Sequence, residues 1–356
     1  MTYKINNNFW KNKNVFITGH TGFKGSWLSV FLKFLGAKVT GYSLKPKNKP
    51  NLFEMAKIGN LIDKSIISDI RDYKKLYQCI KKSKATILFH LAAQPLVRYS
   101  YLEPKETYDT NFNGSLNILE IVRKLKTVKT SIIITTDKVY DNKKNKIFKE
   151  TDSLGGYEPY SNSKVCVEFL FDTYLHSFFK KQTQKKLATV RAGNVIGGGD
   201  YSEDRLIPDI FKFYKKQKDI ILRNPKSTRP WQHVLEPLGG YLLLAEKLHL
   251  NKLKSNYYSW NFGPNLPSCE SVSYIAKYFA KRLKMKIKYL KESKNVFKPE
   301  TSFLRLSNYK ARKVLKWKPK WNLNYSLEKI LEWNIKINKK NAQKLCFEQI
   351  KDYLYN

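Results

Sequence analysis

The 356-residue chain is 42% hydrophobic and 14% aromatic, enough to bury a core without disulfides or metal and too apolar for a disordered chain. No apolar run approaches the roughly 18 residues of a membrane span, and residues 1–14 lack the apolar core of a secretory leader, so a cytoplasmic protein with no membrane partner is expected. The 67 Lys and Arg against 29 Asp and Glu leave a net charge of +38, but the lysines are scattered among Asn, Ile and Tyr, which argues against a nucleic-acid partner and for an anionic substrate.

Residues 14–18 (NVFIT) form a short apolar run that reads as a buried strand. It leads into Gly19-His20-Thr21-Gly22-Phe23-Lys24-Gly25 and then into helical periodicity over 26–35. Residues 38–42, 86–90 (TILFH) and 131–135 (SIIIT) read as further strands, with helical stretches between them, notably 108–125. This alternation predicts an α/β fold: a Rossmann-like, doubly wound parallel sheet covered on both faces. Beyond residue 195 the pattern blurs. Residues 203–214, 236–248, 271–284, 308–315 and 324–338 read as helices, 285–290 as a strand, and the segment after 339 as a last helix. Two units are expected, 1–195 and a smaller mixed α/β unit over 196–356, the second feeding strands back into the first sheet. Cys79, Cys166, Cys269 and Cys346 form no C-x-x-C pair, so reduced thiols and no metal site are expected.

Gly19-x-x-Gly22-x-x-Gly25 sits between a predicted strand and a predicted helix, the context a dinucleotide loop requires. Glycines let backbone approach a pyrophosphate, and the helix N-terminus faces its charge. An acid closing the second strand would bind the ribose hydroxyls; Tyr42-Ser43-Leu44-Lys45 supplies none. Lys45 is either a partner for a ribose phosphate or, as we favour, a solvated lysine.

Tyr160-Ser161-Asn162-Ser163-Lys164 places Tyr and Lys four apart, on one helical face. A free phenol ionises near pH ~10 and is a poor base. A neighbouring ammonium favours the phenolate, so the pair can take a proton from a sugar hydroxyl while hydride leaves the same carbon.

The two motifs together resemble the extended, sugar-nucleotide branch of the short-chain dehydrogenase/reductase superfamily, the NAD-dependent epimerases and dehydratases. The resemblance rests on 17–29 (ITGHTGFKGSWLS), 89–104 (FHLAAQPLVRYSYLEP), 135–140 (TTDKVY), 154–164 (LGGYEPYSNSK), 191–200 (RAGNVIGGGD), 203–209 (EDRLIPD) and 229–246 (RPWQHVLEPLGGYLLLAE), and spans roughly 12–340. It implies NAD over 1–195 and a sugar nucleotide over 196–356. Gly19, Gly22, Phe23, Lys24 and Gly25 would hold the pyrophosphate. Asp69 and Ile70 would meet the adenine, with Asp69 alternatively a loop cap. Leu91, Ala92 and Gln94 would line the cofactor, with Asn111 on the following helix.

In such enzymes Tyr160 would be the O4 base, Lys164 its partner and ribose clamp, and Thr136 a hydrogen-bond partner of O4. Asp137-Lys138 points to a 4,6-dehydratase, because an epimerase only removes and returns one hydride. Oxidation at C4 acidifies the C5 proton; Asp137, kept protonated, would then donate to the departing C6 hydroxyl. Lys138 follows the enzymes that act on CDP-D-glucose, and would be either the C5 base or a group steering the site. Asn194, Arg205, Arg229 and Arg98 are candidates for the sugar and diphosphate; Trp231 and His233 either line the base pocket or belong to the core. The resemblance also implies a homodimer. Two departures stand out: Val139 replaces the family's usual Cys, and 141–150 is short and lysine-rich.

Overall fold

The computed structural model describes residues 3–142, 146–180, 184–253, 258–289, 304–338 and 340–355. Its strands are β1 (Asn14–Thr18), β2 (Lys38–Ser43), β3 (Lys64–Ile67), β4 (Ile87–His90), β5 (Thr130–Ile134), β6 (Lys186–Ala192), β7 (Asn194–Ile196), β8 (Thr228–His233), β9 (Ser259–Phe262) and β10 (Cys269–Ser271), with short pairs formed by 147–148, 220–222, 287–289 and 305–306. The principal helices are α1 (Phe23–Phe34), α2 (Tyr73–Ser83), α3 (Gly114–Lys124), α4 (Pro159–Tyr174), α5 (Leu206–Lys215), α6 (Leu235–His249), α7 (Val272–Leu283), α8 (Leu323–Lys336) and α9 (Ala342–Tyr355).

Seven strands form one parallel sheet in the order β9-β6-β5-β4-β1-β2-β3. Every residue of β4 and β5 is buried, as expected of central strands covered on both faces. Two apolar cores flank the sheet. One gathers Trp10, Trp27, Phe31, Trp260 and Trp333; the other gathers Phe16, Leu88, Ile121 and Phe171. The chain returns late to this sheet, since β9 pairs with β6 through Ser259↔Thr189 to Phe262↔Ala192. A second layer combines the three-stranded β7-β8-β10 sheet with α5, α7 and α8 around a third core containing Ile210, Phe211, Phe279 and Ile330.

Two predicted elements differ in detail. The helix expected at 26–35 begins at Phe23, because Gly25 lacks a Cβ that would lie 2.0 Å from Gly19 O. The 108–125 helix is interrupted by a wide π turn at Asp109–Asn113, which buries Asn111 completely. Strands β3, β6, β7, β8, β9 and β10 lack a distinct alternating signal, although β9 is a strand fed back into the first sheet as expected of the second unit. Among the described residues no helix is long and apolar enough to cross a membrane, and no group of His, Cys, Asp and Glu is placed to hold a metal ion.

Candidate active site

The site opens at the carboxyl ends of β1, β4 and β5, where ligands bind in sheets of this kind. Gly19 turns the chain out of β1 with φ +77°, a conformation that favours glycine. A Cβ there would lie 2.7 Å from Ala92 N, so the glycine also admits the loop that follows β4. That loop is anchored by fully buried His90, which bonds Thr18 Oγ1 (2.7 Å) and Ser115 Oγ (3.0 Å). Gly22 caps α1 without a side-chain hydrogen bond, leaving first-turn amides free for an anion.

A cavity of about 390 Å³ runs along this seam. It brings together Gly19, Gly22, Phe23, Lys24, Gly25, Asp69, Ile70, Leu91, Ala92, Gln94, Tyr160, Lys164 and Arg205. Asp69 is held below the usual carboxylate range by hydrogen bonds from Arg71, at 3.0 Å from Nε and 2.6 Å from Nη2. At the end of β2, Thr21 Oγ1 bonds Ser43 Oγ (2.9 Å) and donates to Leu44 O (2.8 Å), so hydroxyls stand where an acid would be. Lys45 lines the same end of the cavity. Asn111 lies behind the lining: its Oδ1 accepts from Gln94 N (2.8 Å) and its Nδ2 donates to Ser163 Oγ (2.9 Å). It therefore braces the β4 loop against the helix that carries Tyr160.

The Thr136-Asp137-Lys138 triplet forms a tight turn after β5. Thr136 Oγ1 accepts from Lys138 N (3.4 Å) and donates to Asp137 Oδ1 (3.1 Å). Asp137 is buried and its Oδ2 has no hydrogen-bond partner. Burial raises its carboxyl to about 6, against the opposing influence of Lys138, Thr136, Lys24 and Arg229. Lys138 is half-buried.

Tyr160 and Lys164 occupy the first two turns of α4, both buried. The expected effect of Lys164 on the phenol is not what the fold produces. Burial pushes Tyr160 up to about 12, and the groups that oppose it are Thr136 and Arg205. Lys164 Nζ donates to Ile134 O at 3.2 Å, and burial, reinforced by Lys24, lowers it to about 8. Its ammonium is thus engaged at the end of β5 rather than spent on the phenol.

The substrate candidates are dispersed. Arg205 lines the cavity and pairs with Asp200 at 3.7 Å. Arg98 is half-buried outside the cavity lining, paired with Asp204 at 2.8 Å. Arg229 is buried, donates to Thr228 O (3.1 Å), and its charge reaches Asp137. Asn194 begins β7, half-buried, opposite Trp231 on β8. Trp231 and His233 are core residues rather than lining. Trp231 packs in the third core and donates to Glu270 O (2.8 Å). His233 is fully buried between the rings of Trp27 and Trp321, because both faces of β8 are covered and residues 229–233 are all buried. Of the lysine-rich 141–150 segment, 143–145 lie outside the described residues.

Residues 16–330 match the model of the GDP-mannose 4,6 dehydratase family. The chain belongs to that family. It is 45% identical over 324 residues to the CDP-glucose 4,6-dehydratase of Salmonella typhimurium, covering 90% of this chain and 89% of that one. Solved structures share the fold: the dTDP-glucose 4,6-dehydratase of Bacillus anthracis in complex with NAD (TM-score 0.73, 20% identity, 94% and 99% of the two chains), and the UDP-glucose 4-epimerase of Thermotoga maritima with UDP-glucose (TM-score 0.77, 22% identity, 90% and 98%).

Two features went unnoticed in the sequence. Glu158 caps α4, accepting from Tyr160 N (2.8 Å) and Ser161 N (3.0 Å). Glu168, one turn beyond Lys164, forms a buried ion pair with Arg191 (2.8 Å). Glu158-Pro159 carries a faint signal, since proline favours the first helical position, but glutamate is not among the preferred caps.

Proposed function

We propose that this chain is an NAD-dependent CDP-glucose 4,6-dehydratase that converts CDP-D-glucose to CDP-4-dehydro-6-deoxy-D-glucose. The observation that carries the reading is Asp137, a buried carboxyl with one unpartnered oxygen beside Thr136. An epimerase has no use for a proton donor there; expulsion of the C6 hydroxyl requires one. The 45% identity to a CDP-glucose 4,6-dehydratase over nine-tenths of the chain supports the nucleotide.

The glycine loop, the open first turn of α1 and the hydroxyls of Thr21 and Ser43 fit a dinucleotide, with Asp69 and Ile70 toward the adenine and Lys164 toward the nicotinamide ribose. NAD held by these residues would supply the reversible hydride chemistry that oxidation at C4 and reduction at C6 require. Tyr160 takes the O4 proton, and Thr136 holds O4. Asp137 gives its proton to the leaving hydroxyl, so the acid must enter the step protonated. Lys138 takes the C5 proton, or steers the group that does, as that hydroxyl is expelled, and a proton returns to C5 on reduction at C6. Arg205 and Arg229 hold the diphosphate, with Asn194 and Arg98 as further sugar or phosphate contacts. Residues 1–195 serve the cofactor and 196–356 the sugar nucleotide; a cytoplasmic homodimer belongs to the same proposal.

Incubation with NAD and CDP-, dTDP-, GDP- or UDP-glucose, followed by mass spectrometry, tests it. Loss of water from CDP-glucose alone is expected. Loss from another nucleotide sugar would keep the reaction and move the specificity, and loss from none would sink the reading.

A further inference from the structure

Tyr160 is held from outside its own helix. Its backbone N–H is shared between Glu158 Oε2 (2.8 Å) and Ser100 Oγ (3.1 Å). Ser100 is fully buried in the short helix Val97–Leu102; its hydroxyl donates to Val97 O at 2.6 Å and lies 3.3 Å from Glu158 Oε2. The other Glu158 oxygen accepts from Ser161 N (3.0 Å) and from the Ser161 hydroxyl. One carboxylate thus closes the first turn of α4 and joins it to the segment bearing Arg98.

Serine, threonine or asparagine would cap the helix equally well. What a carboxylate adds is a charge two residues from the phenol, on a half-buried side chain. We infer that Glu158, steadied by Ser100, is a positioning residue for Tyr160: it fixes the turn that presents the phenol and sets a carboxylate at that turn. This rests on the proposed role of Tyr160 as the O4 base.

The other groups that face the phenol are Thr136 and Asp137 from the turn after β5, Arg205 from the start of α5, and Tyr241 from α6. Asp137 acts in the same sense as Glu158, whereas Arg205 and the Thr136 hydroxyl favour ionisation. Removing the Glu158 charge therefore tips the balance toward the phenolate.

The test is the pH dependence of kcat for water loss from CDP-glucose. Glu158→Gln is expected to shift the acidic limb, where the base must ionise, to lower pH by about half a unit. Glu158→Ala should shift it likewise and lower kcat about five- to tenfold, with KM changed less than twofold. Glu158→Asp should restore the parental limb, because it retains both cap and charge. Parental limbs in both Glu158→Gln and Glu158→Ala would overturn the inference, as would a rate loss matched by loss of folded protein. The Tyr160 Cζ resonance in 13C-tyrosine-labelled NAD complex, assigned with Tyr160→Phe, reports the same displacement without substrate. A chain that dehydrates no nucleotide sugar would then sink the functional reading while this measurement still decides the role of Glu158.

Discussion

Two buried carboxylates near the end of β5 are treated in opposite ways. Glu168 is surrounded: Arg191 meets it bidentately at 2.8 Å on both oxygens, Thr135 donates at 2.5 Å and Thr189 at 2.8 Å. Burial alone would raise it, but the Arg191 charge and these hydrogen bonds hold it below its ordinary value. Asp137, two residues beyond Thr135, has a single donor and one bare oxygen, so burial prevails and lifts it to about 6. The difference separates a carboxylate that holds structure from one kept short of partners so that it can carry a proton.

The largest effect should come from breaking the satisfied pair. Arg191→Met leaves Glu168 charged and uncompensated, and is expected to cost about 3–5 kcal/mol of stability, read from denaturant midpoints. The loss should also displace Tyr140, whose hydroxyl accepts from Arg191 Nη1 at 2.8 Å and donates to Asn261 on β9 at 2.7 Å. Glu168→Leu combined with Arg191→Met should be less damaging than either change alone, because no buried charge is orphaned. A double variant as unstable as the worse single one would mean the network is held by packing, not charge.

Asp137→Asn should do the reverse. Water loss is expected to fall at least about 100-fold, the usual scale of a lost general acid, while single-turnover NADH formation on mixing with CDP-glucose is largely retained. Folding should not suffer. A raised acid stabilises the fold fully below its unfolded value near 3.8, and that stabilisation is lost as pH rises through about 6. At pH 7 to 8 the variant should therefore be as stable as the parent or more so. Parental water loss would remove Asp137 from the acid role.

The sheet and the cofactor cleft were legible because their signals are local. NVFIT, TILFH and SIIIT are apolar runs, and Gly19 and Gly25 sit where a side chain would collide with backbone. Tyr160 and Lys164 were legible as a helical pair, but not the direction of Lys164, which is drawn to Ile134 O in a neighbouring strand. Trp231 and His233 lie within a motif of the family, and nothing along the sequence tells that both faces of β8 are covered. Glu158 and Glu168 escaped notice because their partners, Ser100 and Arg191, are 58 and 23 residues away. A carboxylate's role depends on what surrounds it in space, which spacing along the chain does not reveal.

Glu236 tests whether partner count alone decides between the two behaviours. It is fully buried at the start of α6 and accepts from Lys320 N (2.9 Å), Trp321 N (2.7 Å) and Tyr353 OH (3.2 Å), with Tyr3 bonded to Tyr353 behind it. It has three donors where Asp137 has one, yet among the described residues no cation meets it directly. Burial lifts it from the usual 4.5 to about 7 despite the two backbone amides. Hydrogen bonds without a counter-charge therefore leave a buried carboxylate raised, and a formal cation is what separates Glu168 from the other two. The sign follows: stability supplied by Glu236 is complete below about 4.5 and disappears as pH rises through about 7. Glu236→Gln should flatten that decline in thermal or urea midpoints between pH 5 and 8, with a net change of about 1–2 kcal/mol from the amide's altered hydrogen bonding. An unchanged slope would mean that another group sets it, and that the three carboxylates do not form the graded series their partners suggest.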